Sequence, residues 1–491
     1  FIDVAANSQF VVESVKNKKT QRKPSTPFIT STLQQEASNK WRMSPKSTMS
    51  NAQRLYENGL ITYMRTDSVT ISEEILDKIK NKVVSDYGEK YSNKTQYKNK
   101  SSNSQEAHEA IRPSDINKFD IKRDDSLNLC DNCVKLYNLI WRRTIASQMS
   151  PAQVNIQTIT TKMSLIDKED ETEETKKMTK LRFITKNETI EFDGFLRVYR
   201  PIETKDADDD SDDEKTAKAE KRAFKKGDTL ELLKLKSDEK YTKPPVGRFT
   251  EASLVKKLDE MGIGRPSTYS SMVSIVQDRK FAEKRDIKGT EIEAKRFMFD
   301  AVNCELDEKT EKSTINGEKG KLVPTDIGDI VNTYLENNIG GIVSFDFTVN
   351  LEKFLDEISS GTKGWVEVVR YIYDSFEPKY IELSASNILE KDKHKRVLGS
   401  DPSTNREIHA YIGQYGPVVC LNGDLKRKIK NKYVSIKSDK YTIDTITLDD
   451  AIELLKYPYE FGNYKGSPIE INQGKFGLYF KYKGKNSSLP S

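Results

Sequence analysis

A tyrosine and an arginine two positions apart, Tyr63 and Arg65, stand in the run Gly59-Leu60-Ile61-Thr62-Tyr63-Met64-Arg65-Thr66-Asp67-Ser68. Leu60 to Met64 is short, apolar and β-prone, which predicts a strand, and on a strand positions 63 and 65 point to the same face. A phenol attacking a phosphodiester needs its developing charge and the phosphate oxygens neutralised, and a guanidinium does this with forked hydrogen bonds. A core tyrosine beside a surface arginine fits the same two positions, and residue type and spacing leave both readings open. His108 is one of three histidines in the chain, able to move a proton near neutrality or to fill a structural role. Cys130-Asp131-Asn132-Cys133 has zinc-like spacing, but Cys304 and Cys420 stand alone. A structural zinc site takes four ligands, so no zinc is expected.

The elements that must position these residues carry their own signals. Ser44-Pro45 reads as an N-cap followed by proline at the first helical position, the helix runs to about Glu57, and Asn58-Gly59 supplies its left-handed exit. Ser31 or a neighbour caps a preceding helix through LQQEASNKW. Ser72 caps a following one, in which Ile75, Ile79 and Val83 form one stripe. Helix, helix, strand, helix is a winged-helix-like order, and the basic connector KNKKTQRK (16–23) with Pro24 and Pro27 marks a boundary near residue 25. Residues 88–105 read as a polar surface loop. A helix is expected over Val134–Gln148, then β-type alternation from Val154 to Val198, interrupted by the charged loop DKEDETEETKK. Further on, helices over Thr250–Met261 and Tyr269–Arg279 flank Gly262-Ile263-Gly264, and Glu251 and Asp259 on the first of them read as surface charges. Near the end, Ile412-Gly413-Gln414-Tyr415-Gly416 recurs as Gln473-Gly474-Lys475-Phe476-Gly477, which predicts two small β modules with a Gly-aromatic-Gly turn.

Composition narrows the partner. The chain has 491 residues, 32% of them charged, and a net charge of +5. Residues 206–214 (DADDDSDDE) are acidic and read as a disordered insertion, so the rest of the chain is more basic than that total and favours a polyanion. Tyr411, Tyr415, Phe476, Tyr479 and Phe480 lie among glycines and lysines, a composition suited to stacking on unpaired bases, with strand alternation burying about half of them. No apolar stretch approaches bilayer length, no secretory pattern opens the chain, and four cysteines make no disulfide framework. The expectation is a soluble, intracellular protein with no membrane partner.

The segments FITSTLQQEASNKW, QRLYENGLITYMRTDS and SQEAHEAIRPSD strongly resemble the strand-cleaving domain of bacterial-type type IA DNA topoisomerases. The resemblance continues through LYNLIWRRTIASQMSPA, GRFTEASLVKKLDEMGIGRPSTYSSMVSIVQDRKF, VPTDIGDIV and FDFTVNLEKFLDEI, and the repeats at 398–491 resemble the family's C-terminal modules. It implies a multidomain α+β torus: a β-rich arch at 1–24 and 151–240, a winged-helix-like cleavage domain at 25–150, a helical DNA-binding domain at 241–390, and C-terminal repeat modules at 391–491. It also implies that Tyr63 forms a 5′-phosphotyrosine link, that Arg65 stabilises the scissile phosphate, and that His108 sits beside it. Arg265, Ser267, Thr268 and Arg279 would then contact single-stranded DNA. The implied activity is ATP-independent relaxation of negatively supercoiled DNA by a monomer, localised in the cytoplasm or nucleoid. The family's Mg²⁺ is held by acidic residues of an N-terminal Toprim domain, and no counterpart precedes Tyr63; with Phe1 opening the chain, an upstream segment is expected. The four-cysteine zinc modules of many members have no counterpart here. The alternative is a non-catalytic single-strand-binding subunit that works with a separate Toprim domain.

Overall fold

The computed structural model describes residues 1–99, 109–166, 172–200, 223–239, 247–385, 395–413, 416–423, 429–436, 441–474 and 477–489. Internal contacts divide the chain into two units, residues 1–278 with 283–323, and residues 279–282 with 324–491.

The first unit opens with a short α1 (Ile2–Ala6) and the long β1 (Ser8–Arg22). Four helices follow: α2 (Thr30–Trp41), α3 (Pro45–Glu57), α4 (Glu73–Tyr87) and α5 (Asp131–Ser147). Then come β2 (Ala152–Leu165), α6 (Glu173–Thr179), β3 (Arg182–Phe192) and β4 (Thr229–Leu230). β1 and β2 pair antiparallel from Ser8↔Leu165 to Arg22↔Ala152, with a bulge between Val12 and Ser14, inside a sheet of order β3-β2-β1-β4. The stretch expected as a charged loop contains α6, because Thr172 caps it by accepting the Thr175 N–H at 3.2 Å and two acids occupy its first turn.

Helices α2 to α5 enclose the largest core, with Leu33, Ala37, Ala52, Leu55, Leu76, Ile79, Val83, Leu136, Ile140 and Ile145 all buried. α3 begins as its sequence dictates: Ser44 Oγ accepts the Ser47 N–H at 3.2 Å, Pro45 takes the first position, and Gly59 beyond the end adopts φ +67°. On α4 the fully buried stripe is Leu76, Ile79 and Val83, with Ile75 half-buried. The strand expected over Leu60–Met64 does not form. Ile61 makes one isolated bridge to Pro113, after which the chain bends, because the next carbonyls bond to a helix start instead of a second strand.

Farther along lie β5 (Lys234–Asp238), α7 (Glu251–Met261), α8 (Tyr269–Asp278), β6 (Ala282–Ile287), β7 (Thr290–Asp300), β8 (Glu305–Ile315) and β9 (Glu318–Pro324). Strands pair as β5-β7-β8 and β6-β9. α7 and α8 share a small core of Val255, Tyr269 and Val273, separate from the large one. Glu251, expected on the surface, is only 7% exposed and accepts from Gln277 Nε2 at 3.2 Å and Lys284 Nζ at 2.8 Å. A buried carboxylate needs such partners.

The second unit holds α9 (Asp326–Val343), α10 (Phe345–Ser359) and α11 (Trp365–Ala385), then two four-stranded sheets. The first sheet is β10 (Arg396–Ser400), β11 (Glu407–Gly413), β12 (Gly416–Leu421) and β13 (Lys432–Ser435), packed with α12 (Leu448–Leu455) around Ile408, Ala410, Val419 and Ala451. The second is β14 (Tyr459–Tyr464), β15 (Ser467–Gly474), β16 (Gly477–Tyr482) and β17 (Lys485–Ser488). The repeated glycines occupy the same place in each, closing the central hairpin as Gly413↔Gly416 and Gly474↔Gly477. Tyr411, Tyr479 and Phe480 are half-buried, while Tyr415, Phe476 and the acidic run 206–214 lie outside the described residues.

Leu55 is fully buried on α3, whereas Leu127 is half exposed on the same unit. Leu55→Ala should cost about 2–5 kcal/mol of unfolding free energy by denaturant titration, and Leu127→Ala less than about 0.5 kcal/mol.

Candidate active site

Thr30, the first residue of α2, holds the segment that carries Tyr63. Its Oγ1 donates to Met64 O at 2.7 Å and approaches Thr66 O at 3.1 Å, while accepting the Thr66 N–H at 2.9 Å; its own N–H donates to Thr66 O at 2.9 Å. A threonine at a helix start ordinarily caps that helix, but here the hydroxyl ties a distant segment. On the other side, Thr62 N–H donates to Arg112 O at 2.9 Å, Thr62 Oγ1 donates to Ala110 O at 2.7 Å and accepts from Arg112 N at 3.0 Å, and Ser114 N–H donates to Leu60 O at 3.0 Å. Held from both sides, the chain keeps a strand-like alternation without a ladder. Met64, Thr66 and Ser68 are buried; Tyr63, Arg65 and Asp67 are exposed. Tyr63 is 39% exposed and meets the ring of Tyr56 on α3 edge-on, centroids 5.3 Å apart.

The segment beside it is locked by charge. Glu109 Oε1 accepts the Ser72 N–H at 2.9 Å, and Oε2 accepts from Arg112 Nε at 3.1 Å and Nη2 at 2.5 Å. Arg112, buried, also donates to Pro113 O at 3.0 Å. Burial pushes the Glu109 carboxyl up, but the Ser72 N–H and the Arg112 guanidinium outweigh it and hold it below the usual range. His108 lies outside the described residues, one position from this clamp.

Helices α7 and α8 pack against α2 and α3. Ser31 Oγ on α2 donates to Asp259 Oδ2 at 3.0 Å, and Tyr269 OH on α8 donates to Asp259 Oδ1 at 3.1 Å. Asp259, expected as a surface charge, is thus a half-buried bridge between α2 and α8. Burial, then Asp259, raises the Tyr269 phenol well above its ordinary value, and the charge of Asp67 adds to that effect. In the turn, Arg265 N–H donates to Thr268 Oγ1 at 2.9 Å and the Arg265 guanidinium donates to Gly264 O at 3.1 Å, while Ser267 is exposed. Thr268 therefore shapes the turn with its hydroxyl, and Ser267 presents one outward. Arg279, exposed, follows α8 in the second unit. Thr30, Thr62, Glu109, Arg112 and the Ser31–Asp259 bridge escaped the sequence reading. Three consecutive hydroxyl residues, Thr30-Ser31-Thr32, at a helix start that needs one cap were the available signal.

Exposed tyrosine and arginine on an anchored bend, several separate sheets and a pair of appended four-stranded modules define a multidomain α+β protein with a surface site. A family model described as DNA topoisomerase matches residues 1–295, and one described as topoisomerase C-terminal repeat matches 401–462. The chain belongs to the bacterial-type DNA topoisomerase I family. It is 40% identical over its whole length to a protein named DNA topoisomerase 1 type prokaryotic of Acanthamoeba polyphaga mimivirus, covering 55% of that protein. It is 34% identical, again over its whole length and 55% of the relative, to DNA topoisomerase 1 of Xylella fastidiosa. It therefore spans about half the length of these curated relatives. Full-length topoisomerase I from Thermotoga maritima aligns over 92% of this chain and 63% of that one, with a TM-score of 0.57 and 27% identity.

Thr30→Val keeps the shape but leaves the Met64 carbonyl and the Thr66 N–H without their partner, and should cost about 1–3 kcal/mol by denaturant titration. Thr30→Ser should lose clearly less. For Glu109, the folded carboxyl titrates below the unfolded one. Its contribution to stability is therefore present above the ordinary glutamate value near ~4.3 and is lost as pH falls through the lower folded value. Glu109→Gln should be less stable than wild type at neutral pH, with the gap closing in thermal melts below about pH 4.

Proposed function

We propose that the full-length protein is an ATP-independent type IA topoisomerase that cuts one strand of negatively supercoiled DNA, passes the other strand and reseals the break. The observation that carries this reading is the exposure of Tyr63 and Arg65 together on a bend held on both flanks by threonine hydroxyls bonded to backbone carbonyls. A nucleophile on such a segment loses little freedom when it meets a phosphate. Tyr63 Oη attacks phosphorus, the P–O3′ bond breaks, and a 5′-phosphotyrosine ester forms. Because that ester keeps the energy of the broken bond, the freed 3′ hydroxyl reverses the step with no nucleotide hydrolysis. Arg65 neutralises the phosphate oxygens, and His108 assists as the family resemblance implies. Arg265, Ser267 and Arg279 hold single-stranded DNA through its phosphates, with Thr268 ordering the turn. The protein acts as a monomer on intracellular DNA, without zinc, and its four segments divide as the family resemblance implies.

Mg²⁺ fits none of the groups in hand: among the described residues no cluster of three or more histidine, cysteine, aspartate or glutamate side chains is placed to hold a metal. In the full-length protein the family resemblance gives that ion to the acidic residues of a Toprim domain. No helix among the described residues is long and apolar enough to cross a membrane.

Tyr63→Phe removes only the nucleophilic oxygen. In the full-length protein, DNA binding should persist, plasmid relaxation should vanish, and no labelled DNA should remain on the denatured variant, whereas wild type should retain it at position 63. An adduct at another tyrosine would refute the assignment. Binding without any adduct in wild type would favour the single-strand-binding subunit instead. Binding should also favour single-stranded over duplex DNA at one fixed salt concentration, and equal affinities in a titration would count against the role of the Arg265 turn.

A further inference from the structure

Cys130 and Cys133 have no part in the chemistry proposed for Tyr63, yet they are built as a pair. Cys130 is the N-cap of α5 and Cys133 lies in its first turn, with the two Sγ atoms 3.4 Å apart. Both thiols converge on one acceptor, Asn51 Oδ1 on α3, at 3.2 Å from Cys130 and 3.3 Å from Cys133. Arg54, one turn further along α3, directs Nη1 to Cys130 Sγ at 3.8 Å. Cys130 is half-buried and reachable; Cys133 is buried behind it. The other cysteines are Cys304, exposed, and Cys420, buried.

We propose that Cys130 and Cys133 form a thiol–disulfide exchange site for low-molecular-weight disulfides, with Cys130 attacking and Cys133 resolving. The S–S bond needs about 2.05 Å, so closing the gap takes rotation of the two side chains within one helical turn. Burial raises the Cys130 thiol, but the backbone N–H groups of Cys133 and Asn132, the Cys133 thiol and the Arg54 charge outweigh it and hold it below its ordinary value. Burial first, then Cys130, pushes Cys133 up. The partially exposed thiol is therefore also the better thiolate, which is the division of labour exchange requires. With glutathione disulfide, the Cys130 thiolate attacks one sulfur, the glutathione S–S bond breaks, and one glutathione thiolate leaves and takes up the proton Cys130 gave up. Cys133 then loses its proton, attacks Cys130 Sγ and displaces the second glutathione. Two protein thiols are oxidised by two electrons, and one glutathione disulfide is reduced to two thiols.

The site reaches further because both thiols donate to Asn51 Oδ1. In the disulfide neither sulfur carries a proton, so that buried carbonyl loses both donors. Asn51 lies on α3, whose last turn carries Tyr56 against Tyr63.

The test equilibrates the 491-residue chain with glutathione disulfide, quenches it with acid and maps the peptides by mass. A Cys130–Cys133 cross-linked peptide, two hydrogens lighter than the reduced pair, is expected in wild type. Cys133→Ser should accumulate glutathione on Cys130, and Cys130→Ser should leave Cys133 unmodified. Glutathione remaining on Cys130 of wild type, or both thiols staying reduced while Cys304 is glutathionylated, would overturn the proposal. Native-state alkylation of wild type with iodoacetamide needs no variant: Cys130 should be labelled before Cys133, and the reverse order would overturn the assignment of roles. Amide exchange across Asn51–Asn58 should quicken about tenfold on oxidation, and unchanged exchange would refute the link to α3.

Discussion

Thr30 sits where a helix begins, and its side chain binds the backbone of residues thirty-odd positions away. Through Met64 O, Thr66 O and the Thr66 N–H, one hydroxyl sets the path of the chain on which Tyr63 and Arg65 stand. Buried backbone groups must find partners, and on the opposite flank Thr62 and residues 110–114 supply them. The Glu109–Arg112 pair stiffens that flank in turn, reaching Ser72 at the start of α4. The site is thus a hydrogen-bonded bend suspended between a helix N-terminus and a charge clamp, over the core of α2 to α5.

Much of this was legible in the residues. Ser44-Pro45, the end of α3 at Glu57 and the left-handed Gly59 are local effects, set by capping, proline geometry and a missing Cβ, and they appear where expected. The paired Gly-aromatic-Gly motifs likewise mark the central hairpins of two equivalent sheets. Helix positions in Val134–Gln148 and Thr250–Met261 follow their apolar periodicity.

What stayed hidden depends on distant partners. The run around Tyr63 alternates like a strand because Met64 and Thr66 are buried, but the groups that bury them belong to α2 and to residues 110–114, so periodicity shows the alternation and not the missing ladder. Glu251 and Asp259 look like solvated helix charges until Lys284, Gln277, Ser31 and Tyr269 are brought to them by the fold. In the sequence Cys130 and Cys133 show only a metal-like spacing; Asn51 and Arg54, which give the pair its character, lie on another helix.

The seam between α2 and the α7–α8 pair has a thermodynamic character of its own. The large core under α2 and the small core of Val255, Tyr269 and Val273 are separate clusters, and the contacts that cross between them include the Ser31–Asp259–Tyr269 bridge. Heat capacity rises with exposure of apolar surface and falls with exposure of polar surface. Parting such a seam exposes polar groups together with apolar ones, so the two terms offset and the enthalpy of parting it changes little with temperature.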